Sequence, residues 1–552
     1  MDAADPHPRP LAWGWLLAIT AAAVALRLRH LGIQILGGDE LHLLLVVSTR
    51  PLAELPGTVT GWDFSIPLAI ALRTLSGVVP LDEWLLRAPV LLAGCVTPAL
   101  AALMARRFVS TPTALALGWL VAAHPFFIFY SRFLRPYALC LALLLLALLH
   151  AACWARDRDR RSLVWLCALS ALATWFQPIA IITVALLFAG LLGHELLRRA
   201  ATPAARPGRI VLAGVATLAA TLALYAPAAE HLVERMVVDK VGVGQMTLET
   251  ALHNTQALVG LGGRGPLLVF LAATLCGAGL LARRLGARAL LLLVPLLGQP
   301  AIITLLQPSL IDDPLVLARY QLYVLPIAWL CVCVLAAGLL RGLWNAAGRP
   351  APGLLASDHT GPTIALVLSA CWVLLGPYAS IYRADNAYAH HHFFQSMGHE
   401  QNRYWQTTLD PESDAPLHPY YRQLEPNGAP VLEWPPSMGF TKTMYHFAQA
   451  RHGRPVQIIA RPEGWWWLDD RLDLANVVDL SADAPFPDLE PGTVVLLHRN
   501  PVEEGRRFAQ GRPTGREPGR SQRQAFARMR QRLVESVGEP TFEDGFLTVF
   551  ER

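Results

Sequence analysis

HPFFIFYSRFLRPYALCLALLLLAL, residues 124–148, places two arginines just before an apolar run that continues without Asp, Glu, Lys or Arg as far as Ala155. As a helix that rises about 1.5 Å per residue, this run is long enough to cross the roughly 30 Å of hydrocarbon in a bilayer. The arginines lie at the start of the run and not inside it. The stretch therefore predicts a transmembrane helix with positively charged residues at its N-terminal end.

Similar apolar segments recur on both sides of this stretch, from Leu11 to Ile381. The 552-residue chain is 54% hydrophobic and only 16% charged, with a mean hydropathy of +0.38, whereas about a quarter of the residues of a soluble domain are charged. We therefore expect a polytopic α-helical membrane protein with about eleven spans. The predicted spans are about 11–31, 88–105, 111–129, 137–154, 162–176, 178–197, 209–228, 266–282, 288–306, 321–340 and 362–382.

Residues 383–552 have a different character from the rest of the chain. They are charged and Pro-rich, and short strand-like runs alternate with helical stretches, which is typical of a small soluble α/β domain. The runs predicted as strands are 431–434, 456–460, 476–480, 493–498 and 546–550, with helices near 438–451 and 521–536. We therefore divide the chain into a membrane domain, 1–382, and a C-terminal domain, 383–552. All eight cysteines precede the C-terminal domain, which excludes a disulfide framework there.

The arginines predict the orientation in the membrane. The net charge of +5 comes almost wholly from arginine, and pairs such as Arg106–Arg107 and Arg198–Arg199 fall in alternate loops. Short arginine-rich loops stay cytoplasmic, so the first loop, 32–87, and the C-terminal domain are expected outside. The arginine- and alanine-rich composition favours a bacterial inner membrane, with the periplasm outside. A basic soluble module, as nucleic-acid binding requires, is not found in the sequence.

The first external loop opens with an adjacent pair of acids, Asp39 and Glu40, in the sequence GGDEL. The ordinary interpretation is a solvated loop pair. The loop continues through GWDFSIPLAIALRTLSG (61–77), which is apolar and amphipathic, and such a segment would lie along the membrane surface and hold the acids there. Asp39 and Glu40 are therefore candidate catalytic residues.

Arginine–tyrosine pairs stand at the outer ends of two later helices, in FYSRFLRPYAL and in ARYQLYVLP. A guanidinium offers a planar fork of donors that suits phosphate, although interfacial aromatics and arginines are also common in membrane proteins. The candidate residues for binding a lipid phosphate are Arg132, Arg135, Tyr137, Arg319, Tyr320 and Lys240. Arg27 and Arg29, at the outer end of the first span, either add to this site or extend towards the membrane surface.

In this order, GGDEL, LRAPVLLAG (86–94), FYSRFLRPYAL and ARYQLYVLP resemble motifs of the GT-C membrane glycosyltransferases, in the branch with the protein O-mannosyltransferases and the lipid A aminoarabinose transferase. The resemblance covers roughly residues 11–340. It implies a GT-C-like fold and transfer of a sugar, with inversion, from a polyprenyl-phosphate carrier to a glycan, lipid or protein hydroxyl of the envelope. Asp39 would then be the general base, helped by Glu40, and the arginines and tyrosines would bind the lipid phosphate.

The chain departs from the family pattern at two places. Many relatives carry an HPPLY-like segment in the first loop, where this chain has DFSIPLAIA, and many carry an acid at the position of Phe133. A second catalytic or metal-binding carboxylate is therefore in doubt. No cofactor is predicted with certainty, and a divalent metal on Asp39 and Glu40 stays an alternative.

Two other functions fit parts of the pattern. A transporter would place ionisable residues near the middle of its spans, whereas the acids and arginines here gather at the outer ends. A glycan polymerase or ligase with a diphosphate-linked donor is separated from the monophosphate branch only by the order of the motifs. The run His390–His392 is interpreted as a polar linker. The run Trp465–Trp467 is interpreted as aromatic residues that stack on a sugar face, are partly buried, or rest on the membrane surface.

Overall fold

The computed structural model describes most of the membrane domain and part of the C-terminal domain. The described residues are 13–29, 31, 40, 43, 46–47, 50–58, 65–79, 83–199, 205–233, 242, 246–259, 264–308, 314–346, 418–424, 429, 431–434, 456–460, 477–479, 489, 491–500, 504 and 520–552.

Helices dominate the described part of the chain. They are α1 (Trp13–Leu28), α2 (Ile66–Ser76), α3 (Glu83–Ala105), α4 (Thr111–Ala123), α5 (Pro125–Arg132), α6 (Tyr137–Asp157), α7 (Arg160–Phe176), α8 (Ala180–Arg199), α9 (Pro207–Tyr225), α10 (Ala229–Val233), α11 (Leu248–Val259), α12 (Arg264–Leu285), α13 (Leu290–Leu306), α14 (Pro314–Gln321), α15 (Leu325–Ala346) and α16 (Arg520–Ser536). A helix lies at each predicted span from 11–31 to 321–340, and the span 362–382 lies outside the described residues.

Six helical segments of the described chain are long and apolar enough to cross a membrane, and the bent pair of α4 and α5 raises the number to seven. The protein is therefore an integral membrane protein. The axes of α4 and α5 differ by 56°, so the span predicted over 111–129 contains a sharp bend. Pro125 has no amide hydrogen to continue the helical ladder, and the break occurs at the preceding residue.

The turn between α6 and α7 shows how the arginine-rich helix ends are ordered. Arg158 ends α6 in the left-handed conformation, with φ of 59°. Asp159 then caps α7, because its carboxylate accepts the backbone N–H of Arg161 at 3.1 Å. The Arg158 guanidinium pairs with the buried carboxylate of Glu195, near the end of α8. Glu195 also accepts the backbone N–H of Arg206 at 3.0 Å, so one buried acid ties three helix ends together.

The chain separates into two compact units. Unit one comprises residues 1–29, 53–71 and 84–382, and unit two comprises residues 30–52, 72–83 and 383–552. Two segments of the loop 32–87, which the sequence predicts to be external, thus belong to the same unit as the C-terminal residues.

Close helix packing in unit one depends on small residues. A Cβ on Gly277 of α12 would lie 2.0 Å from the Cys331 carbonyl oxygen of α15, and a Cβ on Gly190 of α8 would lie 2.5 Å from the Leu290 carbonyl oxygen of α13. Membrane helices associate through such close backbone approaches, because lipid provides no hydrophobic drive for their association. A larger side chain at either position would force the two helices apart.

Unit two contains a six-stranded sheet. Its strands are β1 (Val431–Trp434), β2 (Val456–Ala460), β3 (Val477–Asp479), β4 (Val494–His498), β5 (Phe542–Glu543) and β6 (Leu547–Glu551). The spatial order is β3-β2-β1-β4-β6-β5, in which the first four strands are parallel and β6 is antiparallel to both neighbours. Helix α16 packs Phe526, Met529 and Leu533 into a core with Trp434 and Phe550. Five of the six strands lie at the runs predicted as strands, all except β5, and α16 lies at the helix predicted near 521–536.

A buried group of charges joins β1 and β4. The imidazole of His498 lies between two carboxylates, with Nε2 at 2.6 Å from Glu433 and Nδ1 at 2.6 Å from Glu504, and the hydroxyl of Tyr421 donates to Glu433 at 2.7 Å. Burial alone would lower the pKa of His498, but the Glu504 and Glu433 carboxylates and their hydrogen bonds outweigh it and raise the pKa to about 10. His498 is therefore an imidazolium at neutral pH.

Candidate functional site

The candidate site begins at the break between α4 and α5. His124 precedes Pro125, and its Nδ1 accepts the backbone N–H of Phe126 at 3.1 Å. In an unbroken helix that N–H would reach the Ala122 carbonyl, four residues earlier. The break therefore leaves a backbone carbonyl in need of another donor within the apolar part of the protein.

Arg27 of α1 supplies that donor. Its Nη1 lies 3.2 Å from the Ala122 carbonyl oxygen and 3.2 Å from the Ala23 carbonyl oxygen of its own helix. The side chain is 0% exposed, so Arg27 does not extend to the membrane surface. It fastens α1 to the broken span instead, which neither sequence interpretation of this residue predicted. Arg29 is exposed.

Arg132 is the last residue of α5, and it is also tied to α1. Its Nη1 donates to the Arg29 carbonyl at 2.7 Å, and the side chain is 1% exposed. The neighbouring Ser131 packs against Gly94 of α3 so closely that a Cβ on Gly94 would lie 1.9 Å from the Ser131 Cβ. Two of the sequence motifs, LRAPVLLAG and FYSRFLRPYAL, thus meet at this contact. The arginine-bearing segment is fixed by α1 on one side and α3 on another.

A tight turn carries Arg135 between α5 and α6. Its backbone N–H lies 2.6 Å from the Phe133 carbonyl oxygen, and the residue is 5% exposed. Two residues later, Tyr137 begins α6, and its ring meets the Tyr130 ring edge-on at 5.0 Å between centroids. The sequence FYSRFLRPY therefore folds into one compact, buried structure.

The second arginine motif reaches the first one in space. Arg319 of α14 places Nη1 at 3.4 Å from the Tyr137 hydroxyl, although 182 residues separate the two. The Arg319 guanidinium also lies over the Tyr320 ring, 5.8 Å from its centroid. The structure thus brings Tyr137, at the start of α6, together with Arg319 and Tyr320, in the last turn of α14. Guanidinium and phenol donors in such an arrangement can stabilise negative charge on a phosphate.

Gln299 forms a hydrogen bond with the backbone of Tyr320. Our sequence interpretation did not include this residue. It is 0% exposed within α13, where its side-chain amide donates to the Tyr320 carbonyl at 2.7 Å and its oxygen accepts the Thr183 hydroxyl at 2.7 Å. A signal was present in the sequence, since a glutamine in the apolar run LLLLVPLLGQPAIITLL needs a partner inside the membrane.

The predicted acids are only partly described. Asp39 and Lys240 lie outside the described residues. Glu40 is described as helical and 0% exposed, and it belongs to unit two. Full burial is rare for a glutamate without partners, so the buried state of Glu40 argues against an ordinary solvated loop residue. Among the described residues, no group of three His, Cys, Asp or Glu side chains could hold a metal ion.

No family model matches the sequence, and no curated protein matches it closely in sequence. Solved structures do match. The crystal structure of ArnT from Cupriavidus metallidurans in the apo state has a TM-score of 0.54 at 14% identity and covers 98% of both chains. The same protein bound to undecaprenyl phosphate gives 0.52 at 15% identity, again over 98% of both chains. An oligosaccharyltransferase from Archaeoglobus fulgidus reaches 0.42 over 80% of this chain and 64% of its own, which is too low to define a shared fold.

The protein therefore has the fold of the GT-C membrane glycosyltransferases, as the ordered motifs predicted. ArnT, the lipid A aminoarabinose transferase, is a solved structure that the chain resembles over nearly its whole length.

Proposed function

We propose that the protein is a membrane glycosyltransferase that moves a sugar from a polyprenyl-phosphate-linked donor to a hydroxyl of an envelope glycan, lipid or protein. The observation that carries the proposal is the approach of Arg319 to Tyr137, which brings one residue of each arginine–tyrosine motif together. The ArnT structure of the same fold is bound to undecaprenyl phosphate, the kind of ligand that such a site would hold.

In the proposed reaction, the oxygen of the acceptor hydroxyl attacks the anomeric carbon. As it attacks, Asp39 takes the proton of that hydroxyl. The bond from that carbon to the lipid phosphate breaks on the opposite side, so the configuration inverts. Charge grows on the leaving phosphate, and Arg135, Arg319, Tyr137 and Tyr320 would stabilise it with donors already in place. Glu40 would orient Asp39 or the acceptor, and Arg132 and Lys240 would complete the phosphate site.

The proposal includes a topology. About eleven spans, with the arginine-rich loops in the cytoplasm, place the first loop and residues 383–552 on the outer face, which for a bacterial inner membrane is the periplasm. The donor would approach from the lipid, and the C-terminal domain would cover the site or help to select the acceptor.

The experiment compares wild type, Asp39→Asn and Glu54→Gln in cells from which the native gene has been deleted, with mass spectrometry of envelope lipids and glycans. Glu54 is an exposed acid of the same loop, and its variant is the matched control. We expect wild type and Glu54→Gln to restore one sugar on one envelope component. Asp39→Asn should lack that sugar and accumulate the polyprenyl-phosphate sugar. Identical profiles for Asp39→Asn and wild type, with both proteins in the membrane, would refute Asp39 as the base.

A further inference from the structure

Gln299 lies in the apolar interior of unit one, between Pro295 and Pro300 of α13. A side-chain amide in such surroundings is costly unless its hydrogen bonds are made. Both halves of the Gln299 amide are used, since it accepts from Thr183 of α8 and donates to Tyr320 of α14, each at 2.7 Å. The Tyr320 carbonyl can only accept, so the NH₂ group of the amide must face it, which fixes the orientation of the amide.

The Tyr320 carbonyl, which accepts the hydrogen bond from Gln299, lies next to the candidate site. Tyr320 is the penultimate residue of α14, and the last four carbonyls of a helix have no partner within it. The chain turns at once, with the Val324 N–H donating to the Gln321 carbonyl at 3.1 Å, and α15 begins at Leu325. Gln299 therefore caps the end of α14 from a neighbouring helix, at the residue that follows Arg319.

Apolar contacts hold the same three helices together. Ile182 of α8, Ile303 of α13 and Leu317 of α14 form a buried cluster, and the Tyr320 ring packs against it. Apolar contacts are not directional, so they allow α14 to rotate or slide by small amounts. A hydrogen bond to one carbonyl is directional. The Gln299 bond thus determines where α14 presents the Arg319 guanidinium and the Tyr320 ring.

We propose that Gln299, oriented by Thr183, is a positioning residue that sets Arg319 and Tyr320 for the phosphate of the lipid-linked donor. The inference rests on the proposed function. It adds a residue that holds Arg319 and Tyr320 in place through a hydrogen bond and does not itself contact the donor. Loss of that support should weaken binding of the lipid phosphate, because the hydrogen bonds that Arg319 donates weaken when their distance and angle leave the preferred range.

The test measures the Kd of undecaprenyl phosphate for the full-length protein in lipid nanodiscs, by native mass spectrometry. Gln299→Leu removes both bonds, and Thr183→Val removes only the hydroxyl. Thr217→Val is the matched control, since the Thr217 hydroxyl is buried and bonds within its own helix, to the Ala213 carbonyl at 2.8 Å. We expect the Kd to rise about tenfold or more in Gln299→Leu, to rise less in Thr183→Val, and to stay unchanged in Thr217→Val.

A double-mutant cycle separates positioning from a general loss of packing. If Gln299 acts through Arg319, then Gln299→Leu should add little to the defect of Arg319→Ala. Additive defects, or an unchanged Kd in Gln299→Leu and Thr183→Val, would overturn the positioning role while leaving the proposed function intact. Failure of the wild-type protein to bind undecaprenyl phosphate would overturn both. If Gln299→Leu does not insert into the membrane, Thr183→Val alone decides, because it removes only a hydroxyl.

Discussion

Arg27 illustrates how far the role of a single residue could be predicted from the sequence. An arginine at the outer end of a span suggests either a surface-directed side chain or a ligand for phosphate. The structure shows a third role, hydrogen bonding to the carbonyl at a broken helix. The partner depends on how α1 packs against α4, and no local pattern contains that information. Arg319 and Tyr137 were both candidates from the sequence, but their 3.4 Å contact also comes from tertiary packing.

Replacing Arg319 with lysine tests whether the guanidinium shape matters. Lysine keeps the positive charge and loses the planar fork of donors. A hydrogen bond to a charged group contributes roughly 1.5–3 kcal/mol, so we expect Arg319→Lys to weaken binding of undecaprenyl phosphate at least tenfold. Kd values measured in nanodiscs give the answer, with Arg341→Lys as the control on an exposed arginine of α15. Equal affinity in Arg319→Lys and wild type would mean that charge alone suffices at this position.

At the level of helices and strands, apolar length and composition predicted most of the described elements. The boundary between the predicted spans 162–176 and 178–197 matches the structure, in which α7 ends at Phe176 and α8 begins at Ala180. The break at Pro125 was missed, although proline gives a local signal for it. The approach of α3 to α5 could not be predicted from one sequence, because a glycine in an apolar helix does not show which partner it faces.

Gly94→Ala tests that approach. The added Cβ would lie 1.9 Å from the Ser131 Cβ and 3.0 Å from the Ser131 Cα, so a backbone must move. We expect a loss of about 1–3 kcal/mol in the free energy of unfolding and weaker donor binding, since Arg132 and Arg135 follow Ser131. Thermal unfolding in detergent and the Kd in nanodiscs measure the two effects. Gly279→Ala in α12 is the control, because its Cβ meets nothing within 4 Å. Similar unfolding curves for the two variants would contradict the packing argument.

For the molecule as a whole, the composition was enough to predict a polytopic membrane protein with a different C-terminal part. Strand positions in unit two were also predictable from alternating apolar runs, but the strand order and the buried charges were not. Glu433 lies 65 residues before His498 in the sequence, and the parallel pairing of β1 with β4 brings the two together. Single-sequence patterns contain no information about such pairing.

Those buried charges make the stability of unit two depend on pH. His498 has its pKa raised to about 10 in the folded protein and close to 6.5 in the unfolded chain. The stabilisation is therefore complete below about pH 6.5 and is lost as the pH rises towards 10. Hydrogen exchange of residues 494–498 and 547–551, corrected for intrinsic rates, should show protection falling over this interval.

His498→Gln provides the control for this pH dependence. The variant should show little change of protection with pH. It should also lower the free energy of opening measured by hydrogen exchange at neutral pH by about 3–5 kcal/mol, because two carboxylates then stay buried without their cation. Wild-type protection that is constant or increases with pH would contradict a charged His498.

The pairing of Arg158 with Glu195 has a consequence for how the protein is made. During synthesis, the α6–α7 turn leaves the ribosome well before the end of α8, so Arg158 emerges while its partner has not yet been translated. In the proposed topology, Arg158 at that moment would count as a full positive charge for the insertion machinery and would help to retain its loop in the cytoplasm. Once α8 is in place, Glu195 neutralises the same arginine within the folded protein. In that topology, one side chain would act first as a topology signal and afterwards as the ionic partner of Glu195.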